Sequence, residues 1–405
     1  ENGPPKADKL FDHQNPTRPN GPRSGQARPS GAQPTGCLRE RNQTQLARPK
    51  PRSHNQHMTT ETRMRVSFAV QADWCEKLGS PFTARLLDGL GANLAHTTMS
   101  GHRILTWQGH PDALGEAVAI RLSGALHGLA RRGDYPDLTK LSPPNPLPTT
   151  GTLDRVALET IKKADADIMH WLAHPPQTNE VARSAILYPG LMQIAAETGL
   201  PLSMYEIGCS AGLNLIPDRY AYRLGDVRAG QAGSPVVLAP DWLGATPGGP
   251  DTDIVSRRGC DRNVLDVTDA VHAERIVSYV WPDQADRITR VMAALDLARI
   301  DPPRIDQADA GDWIETAITD DAAPGIARVV LHSIAFQYFP EPVQRRITAR
   351  IEGAGSRATA NTPLAWLSFE QFGTEGPRLV LRLWPGGTSR VLATADAHCR
   401  SIHWF

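Results

Sequence analysis

The chain has 405 residues, 40% of them hydrophobic, and a formal net charge of zero. That suits one large domain or two smaller ones with real cores, and it argues against binding nucleic acid or a membrane surface through bulk charge. No run approaches the roughly 18 apolar residues that span a bilayer. The first residues lack the apolar core of a signal peptide. The five cysteines (Cys37, Cys75, Cys209, Cys260, Cys399) have neither zinc-finger nor redox spacing. A reducing, cytoplasmic setting without a metal site is the expectation.

Residues 1–57 carry ten Lys/Arg against four Asp/Glu and almost no large apolar side chains. Such a segment cannot bury enough surface to offset its ordering entropy, so it reads as a disordered basic arm. An upstream extension before Met58 is the plainer account of it; a nucleic-acid-touching arm is the sharper one. Residues 58–150 predict an N-terminal helical domain. Phe68, Ala72, Cys75 and Leu78 recur at helical spacing. Gly79-Ser80-Pro81 breaks that run, with Ser80 as an N-cap and Pro81 in the first turn of the next helix. Leu114, Val118, Leu122, Leu126 and Leu129 share a face of a third helix. Pro136 to Pro148, with five prolines, reads as a linker or rigid loop.

Residues 151–405 predict a doubly wound α/β domain. Helical spacing resumes with Ile161, Ala164, Ile168 and Leu172. The polar loop His174-Pro-Pro-Gln-Thr-Asn-Glu180 then interrupts it, with Thr178 or Asn179 placed to cap the helix that follows. Leu202–Ile207 is a buried strand, and a glycine turn with Gly208, Ser210, Ala211 and Gly212 leads into an expected helix through about Arg219. Strand, glycine turn, helix is the local geometry of a nucleotide crevice. Glycines at 210 and 213 would be needed for a dinucleotide fingerprint, and Ser210 and Leu213 stand there. No Gly-Lys-Ser/Thr supports a P-loop.

A glycine- and proline-rich insertion fills 224–252. Ile254–Asp261 is a second strand ending in an acid, placed to meet ribose hydroxyls or to serve as a solvated turn. Trp281-Pro-Asp-Gln opens a helix with Pro282 in its first turn, and Ile288, Val291, Met292, Leu295 and Leu297 mainly on its buried side. A short third strand lies near Ile305. Asp309-Ala310 follows, suited either to an adenine amine or to N-capping the helix at 313–318. Ala327–Leu331 is the clearest central strand, with His332 at its carboxyl end, followed by Gln337 and Tyr338. His332 reads as a general base or as a core histidine bonded to backbone. A helix over 342–352 and strands at 364–369, 379–384 and 390–394 close the chain, the last two flanking a Pro385-Gly-Gly hairpin.

The acid-x-Gly-x-x-x-Gly of Glu206, Gly208 and Gly212 resembles the first motif of S-adenosylmethionine-dependent methyltransferases. Seven ordered blocks carry a second likeness: Phe68–Leu87, Gln177–Arg183, Glu206–Leu215, Arg257–Asp261, Tyr279–Gln284, His332–Tyr338 and Leu383–Gly387. Together they resemble a bacterial family of uncharacterised proteins, the domain of unknown function DUF2332, from about residue 63 onward. Cys209 stands where that family has a small residue, and Cys399 where glycine is common. The resemblance implies a Rossmann-like, methyltransferase-type doubly wound sheet behind an N-terminal helical domain.

On that basis Glu206, Gly208, Ser210 and Gly212 are expected to hold the amino-acid part of S-adenosylmethionine. Asp261 is expected at the ribose, and Asp309 with Ala310 at the adenine. Gln177, Asn179, Glu180 and Tyr338 are expected at the substrate or lid side, and His332 as the base. The expected acceptor is a small molecule. No Asn/Asp-Pro-Pro-Tyr/Phe follows the fourth strand, which argues against amide or adenine nitrogen acceptors. A non-catalytic nucleotide or metabolite binder on the same fold is the alternative; a nicotinamide enzyme is disfavoured by the missing second glycine.

Overall fold

Helices come first. The computed structural model describes residues 58–405 except 114, 320, 321 and 374. The basic-arm reading of 1–57 and the placement of Leu114 lie outside the described residues. The leading helices are α1 (Thr60–Lys77), α2 (Pro81–Asn93), α3 (Met99–Leu105), α4 (Val118–Arg132), α5 (Pro136–Leu141), α6 (Thr150–Lys163) and α7 (Asp165–Leu172). Phe68, Leu87, Leu122, Leu126, Ile161 and Ile168 are among the side chains of their shared core. Residues 136–141, read from sequence as loop, are the helix α5: Pro136 opens it, where its missing N–H costs nothing.

Ser80 stands at the N-cap position of α2 but makes no side-chain cap. Its hydroxyl binds Asp283 and Thr83, and Asp283 takes the Phe82 N–H at 2.8 Å. The cap of α2 is thus supplied by the Trp281–Gln284 turn, about two hundred residues on. That turn precedes its helix rather than opening it, so Pro282 is outside the first turn of α10.

The second half alternates strands and helices: α8 (Ser184–Thr198), β1 (Leu202–Ile207), β2 (Ala221–Leu224), β3 (Val227–Gly230), β4 (Val237–Leu238), β5 (Asp241–Gly244), β6 (Ile254–Asp261), α9 (Ala270–Ser278) and α10 (Ala285–Ile300). It continues with β7 (Arg304–Gln307), α11 (Ala310–Ala317), β8 (Ala327–Ser333), α12 (Glu341–Gly355), β9 (Leu364–Gln371), β10 (Pro377–Trp384), β11 (Thr388–Ala395) and β12 (Ser401–Trp404). Nine strands form one mostly parallel sheet in the order β5-β12-β11-β10-β9-β8-β1-β6-β7, and β3-β2-β4 form a small second sheet. The segment read as an insertion supplies that small sheet and β5, which pairs parallel with β12.

Strands β7, β6, β1, β8 and β9 are parallel neighbours. Parallel strands are covered on both faces, so they read as continuous apolar runs; β8 is buried at every position. Val329 and Leu331 join one core with residues of α8, α9 and α10, while Val330 joins another with residues of α11 and α12. This alternation is the period of two expected of a strand between two helical layers. Met292, expected on the buried side of α10, is 45% exposed, whereas Val291 and Leu295 are buried. From β1 the chain winds out to β6 and β7, then returns to β8 and β9 on the other side of β1. Winding therefore reverses between β1 and β8, where the carboxyl ends of an open α/β sheet leave a crevice.

Candidate ligand site at the carboxyl ends of the central strands

The glycine turn begins where β1 ends. Gly208, Ser210 and Gly212 all have left-handed φ (71°, 56° and 71°). The N–H groups of Gly208 and Cys209 both donate to the Cys260 carbonyl of β6, at 2.9 and 3.1 Å. A Cβ on Gly208 would stand 2.7 Å from the Ala335 Cβ, and one on Gly212 would stand 2.8 Å from Pro303 Cγ. Both glycines are thus required by backbone angle and by close approach of the protein's own loops.

The helix expected through Arg219 is absent. Two 3-10 turns, Leu213–Leu215 and Pro217–Arg219, take its place. Pro217 has no N–H to continue an α ladder. The buried hydroxyls of Tyr220 and Tyr222 donate to the Leu213 and Pro217 carbonyls, both at 2.6 Å, so these carbonyls are satisfied without a helix.

Glu206 is 1% exposed, and its Oε2 has no hydrogen-bond partner among the described residues. Burial, reinforced by the nearby Asp261 charge and opposed by Arg183, pushes its carboxyl up to about 8. The Ser210 hydroxyl is also buried and unpartnered. Native proteins rarely leave such groups unmet, because each costs the full loss of its hydration. Arg183 is a residue to which the sequence reading gave no role, although it closes the Gln-Thr-Asn-Glu-Val-x-Arg block. It donates to the carbonyls of Ser333 (2.9 Å) and Ala397 (3.2 Å). No carboxylate pairs with it among the described residues.

Asp261 ends β6 and folds back on the turn. Its Oδ2 accepts from Ser210 N at 2.9 Å and its Oδ1 from Asn263 N at 2.9 Å. Gln177 donates to Asn263 O at 2.5 Å and lies 3.5 Å from Asp261 Oδ1, which brings the polar loop and the expected ribose acid together. Asn179 and Glu180 are buried. Asn179 Oδ1 accepts from Leu213 N at 2.8 Å and so braces the glycine turn. Neither Thr178 nor Asn179 caps the next helix; Glu180 caps the short turn Val181–Arg183 and pairs with Arg287. Asp309 N-caps α11 through Gly311 N at 2.9 Å, and Ala310, the first residue of that helix, is buried.

His332 is 1% exposed, and both its ring nitrogens are engaged. The Trp366 indole N–H donates to Nε2 at 2.9 Å. An indole only donates, so Nε2 is the unprotonated nitrogen and Nδ1 gives its proton to Glu370 Oε1 at 2.8 Å. Glu370 also accepts the N–H groups of Ala335 and Phe336, at 3.0 and 3.1 Å. Burial raises the Glu370 carboxyl, but the hydrogen bonds it accepts from His332 and from these N–H groups outweigh it and leave it lowered. The loop after β8 is fixed by this network, and it holds the β-branched Ile334 at a left-handed φ of 47°. Tyr338, on the same loop, is 52% exposed. His332 therefore orients a loop and has no ring nitrogen free to face a substrate.

Shallow clefts lie among Phe82, Leu86 and His127, and beside Arg328 and Arg357; neither is lined by the glycine turn. Among the described residues, no helix is long and apolar enough to cross a membrane and no His/Cys/Asp/Glu group could hold a metal.

A family model described as an uncharacterized protein conserved in bacteria, DUF2332, matches residues 65–404. The chain belongs to this family. The DUF2332 match spans the helices α2–α7 and the whole nine-stranded sheet, so the glycine turn, Arg183 and the His332–Glu370 network all fall within it. No curated protein and no solved structure matches the chain.

Proposed function

We propose that the crevice between β1 and β8 binds S-adenosylmethionine and that the protein is a methyltransferase for a small-molecule acceptor. The observation that carries this reading is the buried Glu206 carboxyl with an unmet oxygen, two residues before a left-handed glycine turn at the winding reversal of the sheet. The parallel strands, numbered along the chain, lie 3-2-1-4-5, the order of doubly wound Rossmann-like sheets. Glu206 would take the ammonium of the amino-acid portion and Arg183 its carboxylate. The Ser210 hydroxyl is a further unmet group beside them. Asp261 would meet the ribose, and Asp309 with Ala310 the adenine, each while keeping its backbone contacts, since a carboxylate has about four lone-pair sites.

When bound, S-adenosylmethionine supplies an activated methyl group. The chain's own part is to orient the two reactants and exclude water, the means by which positioning lowers a barrier. Gln177, Asn179, Glu180 and Tyr338 flank the acceptor side in this reading. The general-base role expected of His332 is withdrawn, because both its nitrogens are engaged. That engagement favours a second reading, a binder without turnover, over acceptors that need a base.

Titration of the full chain with S-adenosylhomocysteine tests the proposal. Micromolar affinity is expected, lost by at least about tenfold in Glu206→Gln, which removes a charge-assisted contact worth about 1.5–3 kcal/mol. No binding by the wild type overturns the reading. Binding with turnover of no acceptor leaves the second reading in place.

A further inference from the structure

The seam where α9 meets α4 and α7 gathers two arginines, Arg121 and Arg275, that make no ion pair with a carboxylate among the described residues. Arg275 on α9 lies over the Trp171 ring, its guanidinium carbon 5.2 Å from the centroid, and 6.0 Å from that of Tyr279. Its Nε and Nη2 are buried and have no hydrogen-bond partner among the described residues. Those two groups form the side-on edge of a guanidinium. Arg131 uses the same edge to grip Glu274, at 2.6 and 3.2 Å. In Arg275 the equivalent fork is empty.

Arg121 on α4 is 7% exposed. It spends Nε and Nη1 on the carbonyls of Glu116 and Leu172, both at 2.8 Å, and stands over Trp107. The Tyr279 hydroxyl, on a side chain 3% exposed, faces Arg275 closely enough to interact with it but forms no hydrogen bond of full geometry among the described residues, and it feels both guanidinium charges. His174, on the loop after α7, is lowered by burial and then by the Arg275 charge, and packs edge-on to His170; Arg103 adds to the positive rim. The nearby acids make their hydrogen bonds elsewhere, although the Glu116 charge acts on Arg121. Glu274 holds Arg131, and Glu116 takes the Trp107 indole N–H and the His110 N–H.

Buried charge without a partner is a cost that folded proteins offset with a counter-ion. Two guanidiniums, an empty fork and a phenol donor, walled by Trp171 and Trp107, suit a dianion with three acceptor oxygens better than a single carboxylate. We propose that this seam binds a phosphate-class dianion, either inorganic phosphate or a phosphomonoester, on the Arg275 fork, Arg121 and the Tyr279 hydroxyl.

Thermal melts of the full chain at pH 7.5 and constant ionic strength test this, with potassium chloride replaced stepwise by phosphate, methyl phosphate or acetate. Saturable stabilisation by either phosphate and none by acetate is expected. Arg275→Lys keeps the charge and loses the fork, and should weaken half-saturation about tenfold. Tyr279→Phe keeps the packing and should weaken it about threefold, which decides the matter if the lysine variant does not fold. Stronger action of methyl phosphate points to a phosphomonoester, and stronger action of phosphate to the free ion. A non-saturating rise shared by wild type and Tyr279→Phe is general salting; that result, or no rise at all, overturns the proposal.

Discussion

Glu206 concentrates the account at the scale of a single residue. Its carboxyl is held at about 8 in the folded chain, against 4.5 for an ordinary glutamate, first by burial and then by Asp261. The folded state therefore holds a proton that the unfolded state gives up between those values. Stability contributed by the protonated acid is full below about pH 4.5 and is lost as pH rises through about 8. Glu206→Gln is nearly isosteric and cannot ionise, so it escapes this loss. Melting at pH 8.5 should show the variant more stable than wild type by at least about 2 °C, with the gap closing toward pH 5. A variant less stable at both pH values would mean that Glu206 is charged and partnered in the fold.

At the scale of elements, the chain is held together by contacts far apart in sequence. Asp283 caps α2 through Ser80 and Phe82 N, and Gln284 donates to Leu78 O at 3.1 Å, tying the helical layer to the turn before α10. Asp283→Ala should lower stability by about 1–2 kcal/mol, the worth of a helix cap. Urea unfolding would show it as a lower midpoint with an unchanged slope; a loss under about 0.5 kcal/mol would mean the contact is idle.

Such links explain what could be read in advance. Strands β1 and β8 were legible because buried parallel strands are local apolar runs, and the glycine turn because its backbone demands glycine locally. Asp309 as a cap was one of two readings that its position allowed. The 3-10 turns after Gly212 were not legible, since Leu213 and Leu215 look helical and the tyrosines that take their carbonyls act only after folding. Helix α9 and strands β2–β5 and β12 were also missed: the strands are short pieces within glycine- or proline-rich chain or at its very end, stabilised by partners. Glu370 stands 38 residues from His332, and nothing near either one announces the pair.

For the whole molecule, buried neutral histidines set the response to acid. His127 on α4 bonds the Ser278 carbonyl at the end of α9, at 3.0 Å, and burial draws it down to about 4. His398, near the carboxyl end of the chain, is drawn down to about 4 by burial and then by Arg287. Unfolded histidines take their proton near 6.5, so the unfolded state binds more protons between pH 6.5 and 4. Stability is lost as pH falls through that window. In the Glu206→Gln background, which removes the opposing slope, about two protons should be taken up on unfolding near pH 5, or roughly 3 kcal/mol per pH unit. Flat stability between pH 6.5 and 5 would mean these histidines are solvated or charged in the fold.

The ligand site can be tested through the same acid that marks it. A bound ammonium would ionise Glu206, which the free protein holds protonated at neutral pH. Calorimetric titration of the full chain with S-adenosylhomocysteine at pH 7, repeated in buffers of different ionisation heat, counts the protons exchanged. Micromolar binding with release of about one proton, absent from Glu206→Gln, is the expected result. Binding without proton release would place the ligand away from Glu206, and no binding would contradict the assignment of the crevice.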